Sequence, residues 1–295
     1  MRLGSLLVAS IAVIACARTV PIAVAAKGAP VVDAQTPHRV SILGRTYTLR
    51  RIELEGNAHL ASSTLRAALS LATADAIDEQ LLDRDRLILS ALYYDQGYLD
   101  VKVGAPRFAD SETSDDLVIT IPIDEGAQYS IASFVVYEDV DGKRAPPMNG
   151  WSKPAFAGEV FHRDRLVKSL AALRRVYRDA GYAFVEADPE TQLDAAHHTI
   201  SLTVPIRRGV LAHFGAVRFA GNRAIDDAML RALVGIVEGQ RYSETALEAS
   251  RARLEALEIF QRVDVSTQVG GAPDAVDVTF EVEFAEAKGP VVAGR

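Results

Sequence analysis

The sequence predicts an α+β protein of three tandem β-α-α-β-β modules, each a three-stranded sheet packed on two helices. Three recurrences carry that expectation. Gly97-Tyr98 returns as Gly181-Tyr182. Asp124-Glu125-Gly126 is answered one copy later by Arg207-Arg208-Gly209. Gly56-Asn57 reappears two copies later as Gly221-Asn222. Such self-similarity, at a period of roughly eighty residues, marks like modules in series, which more often build a binding surface than one catalytic pocket. Length alone, 295 residues, would suggest about two domains. The repeat instead divides the chain into modules at 46–126, 127–209 and 210–287, with 288–295 as a tail.

Ahead of the modules, residues 1–26 read as an export signal: Met1-Arg2, then an apolar stretch from Leu3 to Ala15 that is too short to span a bilayer comfortably. Cys16, the only cysteine, follows directly in Val13-Ile14-Ala15-Cys16, a tetrad that resembles the bacterial lipobox, in which the cysteine is lipidated and becomes the new N-terminus. The other reading cuts the signal later, after Ala23-Val24-Ala25-Ala26, and discards Cys16. Lipidation is favoured, because an exported chain with one unpaired cysteine otherwise carries a reactive thiol. Either way no disulfide can form within the mature chain. No later segment approaches eighteen uninterrupted apolar residues, so no transmembrane helix is expected there. Residues 27–45, with Gly28, Pro30, Pro37 and Gly44 among isolated valines, read as a linker of limited order.

In the first module, alternation from Thr46 to Glu55 predicts a strand that ends on the Gly56-Asn57 turn. Ser62 and Ser63 are candidate caps for a short helix through Leu65, Ala68 and Leu69. A longer helix from about Asp83 stacks Leu82, Leu89, Leu92 and Tyr93 on one stripe and stops at Gly97. Strands from Tyr98 to Val103 and Leu117 to Ile123 complete the unit, the latter with Leu117, Ile119, Ile121 and Ile123 on one face. The second module repeats the long helix with Leu166, Leu170, Leu173 and Tyr177, and the closing strand with Ile200, Leu202, Val204 and Ile206. Pro122 and Pro205 sit at equivalent places near the two strand ends, where a neighbouring strand should already have ended. In the third module Leu247, Leu254, Leu257 and Phe260 form the helical stripe. Val276, Val278, Phe280, Val282 and Phe284 alternate with Asp277, Thr279, Glu281 and Glu283, so one sheet face should meet helices and the other water.

A three-stranded sheet leaves two edges, and the second strand of each module is the candidate for an exposed one. Leu99, Val101 and Val103 in the first module, and Val263 and Val265 in the third, are the candidate edge residues for adding a partner strand. An insertion at 138–158 in the second module carries the only tryptophan, Trp151, with Pro146, Pro147 and Pro154. Trp151 is either the anchor of a recognition loop or a cover for its own module.

Catalytic and metal constellations are missing from the pattern. Six histidines include no pair at helical i, i+4 spacing, and His197-His198 falls in a hairpin loop. His162-Arg163-Asp164 lacks the rest of a kinase site and is better read as a helix start. Gly150-Trp151-Ser152-Lys153-Pro154 lacks the last glycine of a nucleophile elbow. Glu138-Asp139-Val140-Asp141-Gly142 lacks the closing glutamate of a calcium loop. No enzyme activity, cofactor or metal is expected. The net charge of −7 argues against nucleic acid, and the basic run Arg163, Arg165, Lys168, Arg174, Arg175 and Arg178 reads as a solvated helix face.

The modules resemble POTRA domains of the outer-membrane assembly family that includes BamA and TamA, over nearly all of the mature chain from Tyr47 to Glu286. The residues that carry the resemblance are Ile52-Glu53-Leu54-Glu55-Gly56-Asn57 and Val217-Arg218-Phe219-Ala220-Gly221-Asn222 at the strand ends. Asp95-Gln96-Gly97-Tyr98-Leu99-Asp100-Val101, Asp179-Ala180-Gly181-Tyr182 and the run from Leu257 to Val265 match at the helix-to-strand junctions, and Asp124-Glu125-Gly126 at the closure. Three modules match a TamA-like arrangement better than a BamA-like five. The family continues into a membrane β-barrel, and no barrel strands follow within these 295 residues. The resemblance therefore implies the periplasmic half: a protein attached to the outer membrane that binds unfolded outer-membrane polypeptides or docks a separate barrel or accessory protein. A spacer subunit or a barrel-less remnant is the alternative.

Overall fold

The computed structural model describes residues 37–111, 114–222, 225–257 and 259–285. The export signal with Cys16, residues 27–36 of the linker and the 288–295 tail lie outside the described residues. The described chain packs as two compact units. One runs to Phe134 and adds Ala155–Leu166 and Glu190–Thr203; the other joins Val135–Pro154, Val167–Pro189 and the residues from Val204 on. The division passes through the second module.

The first module contains β1 (His38–Ile42), β2 (Arg45–Glu55), α1 (Ser62–Ala68), β3 (Ala76–Ile77), α2 (Glu79–Asp95), β4 (Lys102–Val103), β5 (Arg107–Ser111) and β6 (Ser114–Asp124). The sheet order is β3-β1-β2-β6-β4, with β5 also on β6. Its central pair, β2 and β6, is parallel, as the helical crossover between them requires. Leu117, Ile119, Ile121 and Ile123 of β6 are buried against Leu65 of α1 and Leu89 and Tyr93 of α2, each buried Leu or Ile contributing about 1.5–3 kcal/mol. The long helix begins earlier than its apolar stripe, because Asp78 caps it by accepting from the Leu81 N–H. Residues 38–42, read as linker, form a strand instead, since β1 pairs along β2 from His38 opposite Leu49 to Ile42 opposite Arg45. The sheet thus has six strands where three were expected.

The second module contains β7 (Ser130–Val140), β8 (Lys143–Ala145), α3 (Arg163–Asp179), β9 (Glu186–Ala187), β10 (Glu190–Asp194) and β11 (Thr199–Arg207). Its sheet runs β10-β11-β7-β8, with β9 also on β11. One helix stands where two were expected. Between β8 and α3, Pro146, Pro147, Gly150, Pro154 and Gly158 prevent a helix. The irregular segment nevertheless supplies the apolar groups a helix would bring: Phe156 and Phe161 are buried, Phe156 lying 5.0 Å from the Phe134 ring.

The third module has β12 (His213–Ala220), α4 (Asp227–Val234), α5 (Glu244–Glu255), β13 (Phe260–Val269) and β14 (Ala275–Phe284), with sheet order β12-β14-β13. It is the plain β-α-α-β-β form. Val276, Val278, Phe280 and Val282 are buried as their alternation predicts. Asp277 departs from its expected water face. It is nearly buried, accepting from the Ala216 N–H and the Arg218 guanidinium, both at 2.9 Å, at a register shift in β12. Those two donors hold the Asp277 carboxyl below the usual range.

Candidate functional site

The second strand of each module pairs on one side only among the described residues: β5 on β6, β10 on β11 and β13 on β14. In an antiparallel edge strand, alternate residues direct N–H and C=O outward, ready to accept another strand. The three edges differ in length. The second strand of the first two modules is broken into β4 and β5, and into β9 and β10, and Pro122 and Pro205 lie opposite the breaks. β4 pairs at Ile123 and Asp124, β5 at Thr120 and before; β9 pairs at Ile206 and Arg207, β10 at Thr203 and before. The neighbour has not ended at the proline, as expected, but has been interrupted there. β13 is unbroken, paired along β14 from Phe260 to Val269 with one shift near Arg262.

The candidate residues fare differently in the two modules. Leu99 lies in a turn before the strand, not within one. Val101 and Val103 are buried, and the Val103 carbonyl already accepts from Arg86 Nε and Nη2 at 3.3 and 3.2 Å. The helix-to-strand turn runs to Val101 and leaves only Lys102–Val103 as strand. Both β4 and β5 pair on β6 alone among the described residues, and β5 is the longer edge. Val263 and Val265 do lie on the edge strand β13, Val263 buried and Val265 packed against the third core. Each edge carries an exposed apolar side chain: Phe108 on β5, Leu193 on β10 and Val269 on β13. Trp151 is half-buried, its Nε1–H donating to the Ser169 carbonyl of α3 at 3.2 Å.

Behind the edges lie two buried polar hubs that sequence reading missed. In the first, Glu125 accepts from the Tyr93 hydroxyl at 2.8 Å and the His59 N–H at 3.0 Å, and its other oxygen meets His59 Nδ1. Burial alone would raise the Glu125 carboxyl, but the His59 amide and imidazole and the Tyr93 hydroxyl hold it below the ordinary range. Burial, reinforced by Glu125, raises the Tyr93 hydroxyl. The second hub centres on Glu138, which accepts from the Tyr177 hydroxyl at 3.1 Å and pairs with Arg208. Burial is the largest cause that pushes Tyr177 up to about 12. The signal was present in the repeat: Tyr93 and Tyr177 hold matching places in successive copies, as do Glu125 and Arg208.

The glycines of the repeat are explained by close approach. A Cβ on Gly56 would lie 2.1 Å from the Ile123 carbonyl oxygen, and one on Gly221 2.3 Å from that of Val282. The following asparagine closes the turn, Asn57 Nδ2 donating to the Leu60 carbonyl and Asn222 Nδ2 to that of Ile225. The basic run on α3 lies on a largely exposed face, and its arginines also form ion pairs there: Arg163, Arg165, Arg174, Arg175 and Arg178 with Asp95, Glu159, Asp188, Glu248 and Glu244 respectively.

The chain matches the family model POTRA, surface antigen variable number repeat, over residues 47–126 and 212–283, just over half its length. The matched stretches are the first and third modules, while the second has lost a helix to its proline-rich insertion. Among curated proteins it is similar to the outer membrane protein assembly factor BamA of Nitratidesulfovibrio vulgaris, 24% identical over 254 residues, and to that of Neisseria meningitidis, 22% identical over 251. Each alignment covers 81% of this chain but only 32% and 31% of the relative, so the chain spans about a third of their length. Among solved structures, BamA POTRA3-5 of Haemophilus influenzae matches with a TM-score of 0.61 at 20% identity, over 85% of this chain and 99% of that one. That match shows the fold.

Proposed function

The chain belongs to the POTRA family, and from that premise we propose that it is a non-enzymatic periplasmic polypeptide-binding protein that acts in outer-membrane protein assembly. The observation that carries the reading is β13, an unbroken ten-residue edge strand with one side unpaired among the described residues. An extended client adds there as a fourth strand: main-chain hydrogen bonds supply affinity, and apolar side chains at alternate positions continue the face of Val263 and Val265. Cys16 tethers the protein to the outer membrane through its lipid, and Trp151 holds the insertion on its own module.

Hydrogen exchange of the β13 amides, with and without an unfolded outer-membrane polypeptide, tests the proposal. Added protection on outward-facing amides is expected, and its absence at saturating client sinks the reading. Successive residues on an edge point their N–H in opposite directions. Of Val265→Pro and Ser266→Pro, the one that leaves the sheet intact should therefore abolish client binding. A spacer subunit, the second reading, would lose no binding in either variant. Intact mass of the natively expressed protein and of Cys16→Ala reports separately on the tether.

A further inference from the structure

We infer that Asp179 is an intermodule cap, which seats the end of the second module's helix on the first turn of a helix in the third, so that the two turn as one body.

Asp179 is the last residue of α3. Its Oδ1 accepts from the Thr245 N–H at 2.8 Å and from Ser243 Oγ at 2.9 Å, and its Oδ2 accepts from Thr245 Oγ1 at 2.7 Å. Ser243 and Thr245 begin α5, whose own cap is Ser243, accepting from the Ala246 N–H. A helix start leaves N–H groups without intrahelical partners and carries partial positive charge, which a carboxylate from another module here satisfies. The surrounding charges close over the contact: Arg178 pairs with Glu244 at 2.7 Å, and Arg175 with Glu248 and, at 3.8 Å, with Asp179 itself. Tyr242 is buried beside them. Beneath the cap the backbone forms a strap: the Ala212 N–H donates to the Gly181 carbonyl at 2.8 Å and the Tyr242 N–H to the Ala212 carbonyl at 3.0 Å.

The first junction repeats the strap without the cap. The Tyr129 N–H donates to the Gly97 carbonyl at 2.8 Å, and the Phe161 N–H to the Tyr129 carbonyl at 2.9 Å. Asp95, the counterpart of Asp179 in the preceding copy, ends α2 in the same place and is about as exposed as Asp179, but it pairs with the Arg163 side chain at 3.2 Å and accepts no N–H of the following helix's first turn among the described residues. A cleft of about 360 Å³ opens beside it, lined by His59, Leu92, Asp95, Tyr98 and Gln128. At the second junction the Arg241 and Leu211 side chains pack against Gly181.

Spin labels at Lys143→Cys and Gly271→Cys, in a full chain carrying Cys16→Ala, read the second junction by the width of their distance distribution. Asp179→Ala should broaden it, and a width unchanged from that of the parent in a folded variant overturns the inference. Should Asp179→Ala not fold, Ser243→Ala with Thr245→Ala removes both hydroxyl donors without touching α3, and there too an unchanged width overturns it. Labels at Leu87→Cys and Thr191→Cys read the first junction. Asp95→Ala should leave that distribution as it is; a broadening equal to that of Asp179→Ala would show that the cap has no special role.

Discussion

The first and second modules bury the same tyrosine against a carboxylate, yet they supply that carboxylate from opposite ends of the fold. In the first module it is Glu125, at the closure of the repeat, and its partner is the His59 imidazole. In the second the closure holds Arg208, and the carboxylate is Glu138 at the end of β7. What the repeat holds fixed is the tyrosine and a buried carboxylate with a second partner beside it; which element supplies the carboxylate is free. The consequence is a difference in the partner's geometry: a guanidinium meets the carboxylate in the second module and an imidazole meets it in the first.

Five variants break or sharpen this comparison. Arg208→Ala strands the Glu138 carboxylate, which is 6% exposed, and should have the largest effect. A loss of about 2–3 kcal/mol in the second module is expected, below the full cost of a broken buried pair because Arg208 is itself partly in water; module-resolved hydrogen exchange would measure it. Glu125→Gln keeps an acceptor for Tyr93 but loses the charge-assisted bonds, for about 1–2 kcal/mol in the first module. It should also flatten the acid limb. The Glu125 pKa is depressed on folding, so its stabilisation is complete above the ordinary glutamate range and is lost as pH falls through the lower folded value. Thermal melts followed from neutral pH into that acid range should show the first module weakening in the parent and much less in Glu125→Gln. Tyr93→Phe and Tyr177→Phe should each cost about 1 kcal/mol. Tyr177→Phe should cost more, since the Tyr177 hydroxyl also accepts from the Met148 N–H at 2.8 Å and its loss frees the insertion to exchange. His59→Gln should have the smallest effect at neutral pH, within about 0.5 kcal/mol in denaturant titration, because the ring lies mostly in solvent.

Local chemistry made much of the fold legible. Gly97-Tyr98 and Gly181-Tyr182 read as helix stops, and both close by the same pair of bonds. The Tyr98 N–H reaches the Tyr93 carbonyl and Gly97 that of Tyr94; Tyr182 and Gly181 do likewise with Tyr177 and Arg178. The accompanying ring contacts, Tyr93 with Tyr98 and Tyr177 with Tyr182, repeat as well. The apolar alternation of β6 and β14 gave the buried faces directly. What escaped was set by partners distant in sequence. β1 has too little pattern to declare itself, and it is a strand because β2 offers an edge. The interruption of the second strand was invisible in Leu99 to Val103, whose apolar residues look like an edge but turn inward. The charges of α3 do lie on an exposed face, but their ion-pair partners, as many as 73 residues away, could not be read from the helix itself. Of the candidate edge residues, Val263, Val265 and Val103 lie on strands with one side unpaired among the described residues, Val103 in the two-residue β4, whereas Leu99 and Val101 precede that strand.

The interruptions opposite Pro122 and Pro205 also set a length scale. At about 3.3 Å per residue, the five residues of β5 or β10 offer a guest roughly 17 Å of continuous ladder, and the ten of β13 about twice that. A membrane-barrel strand is about 9–11 residues long. Among the second-strand edges of the described residues, β13 alone matches that length, and β5 and β10 match about half of it.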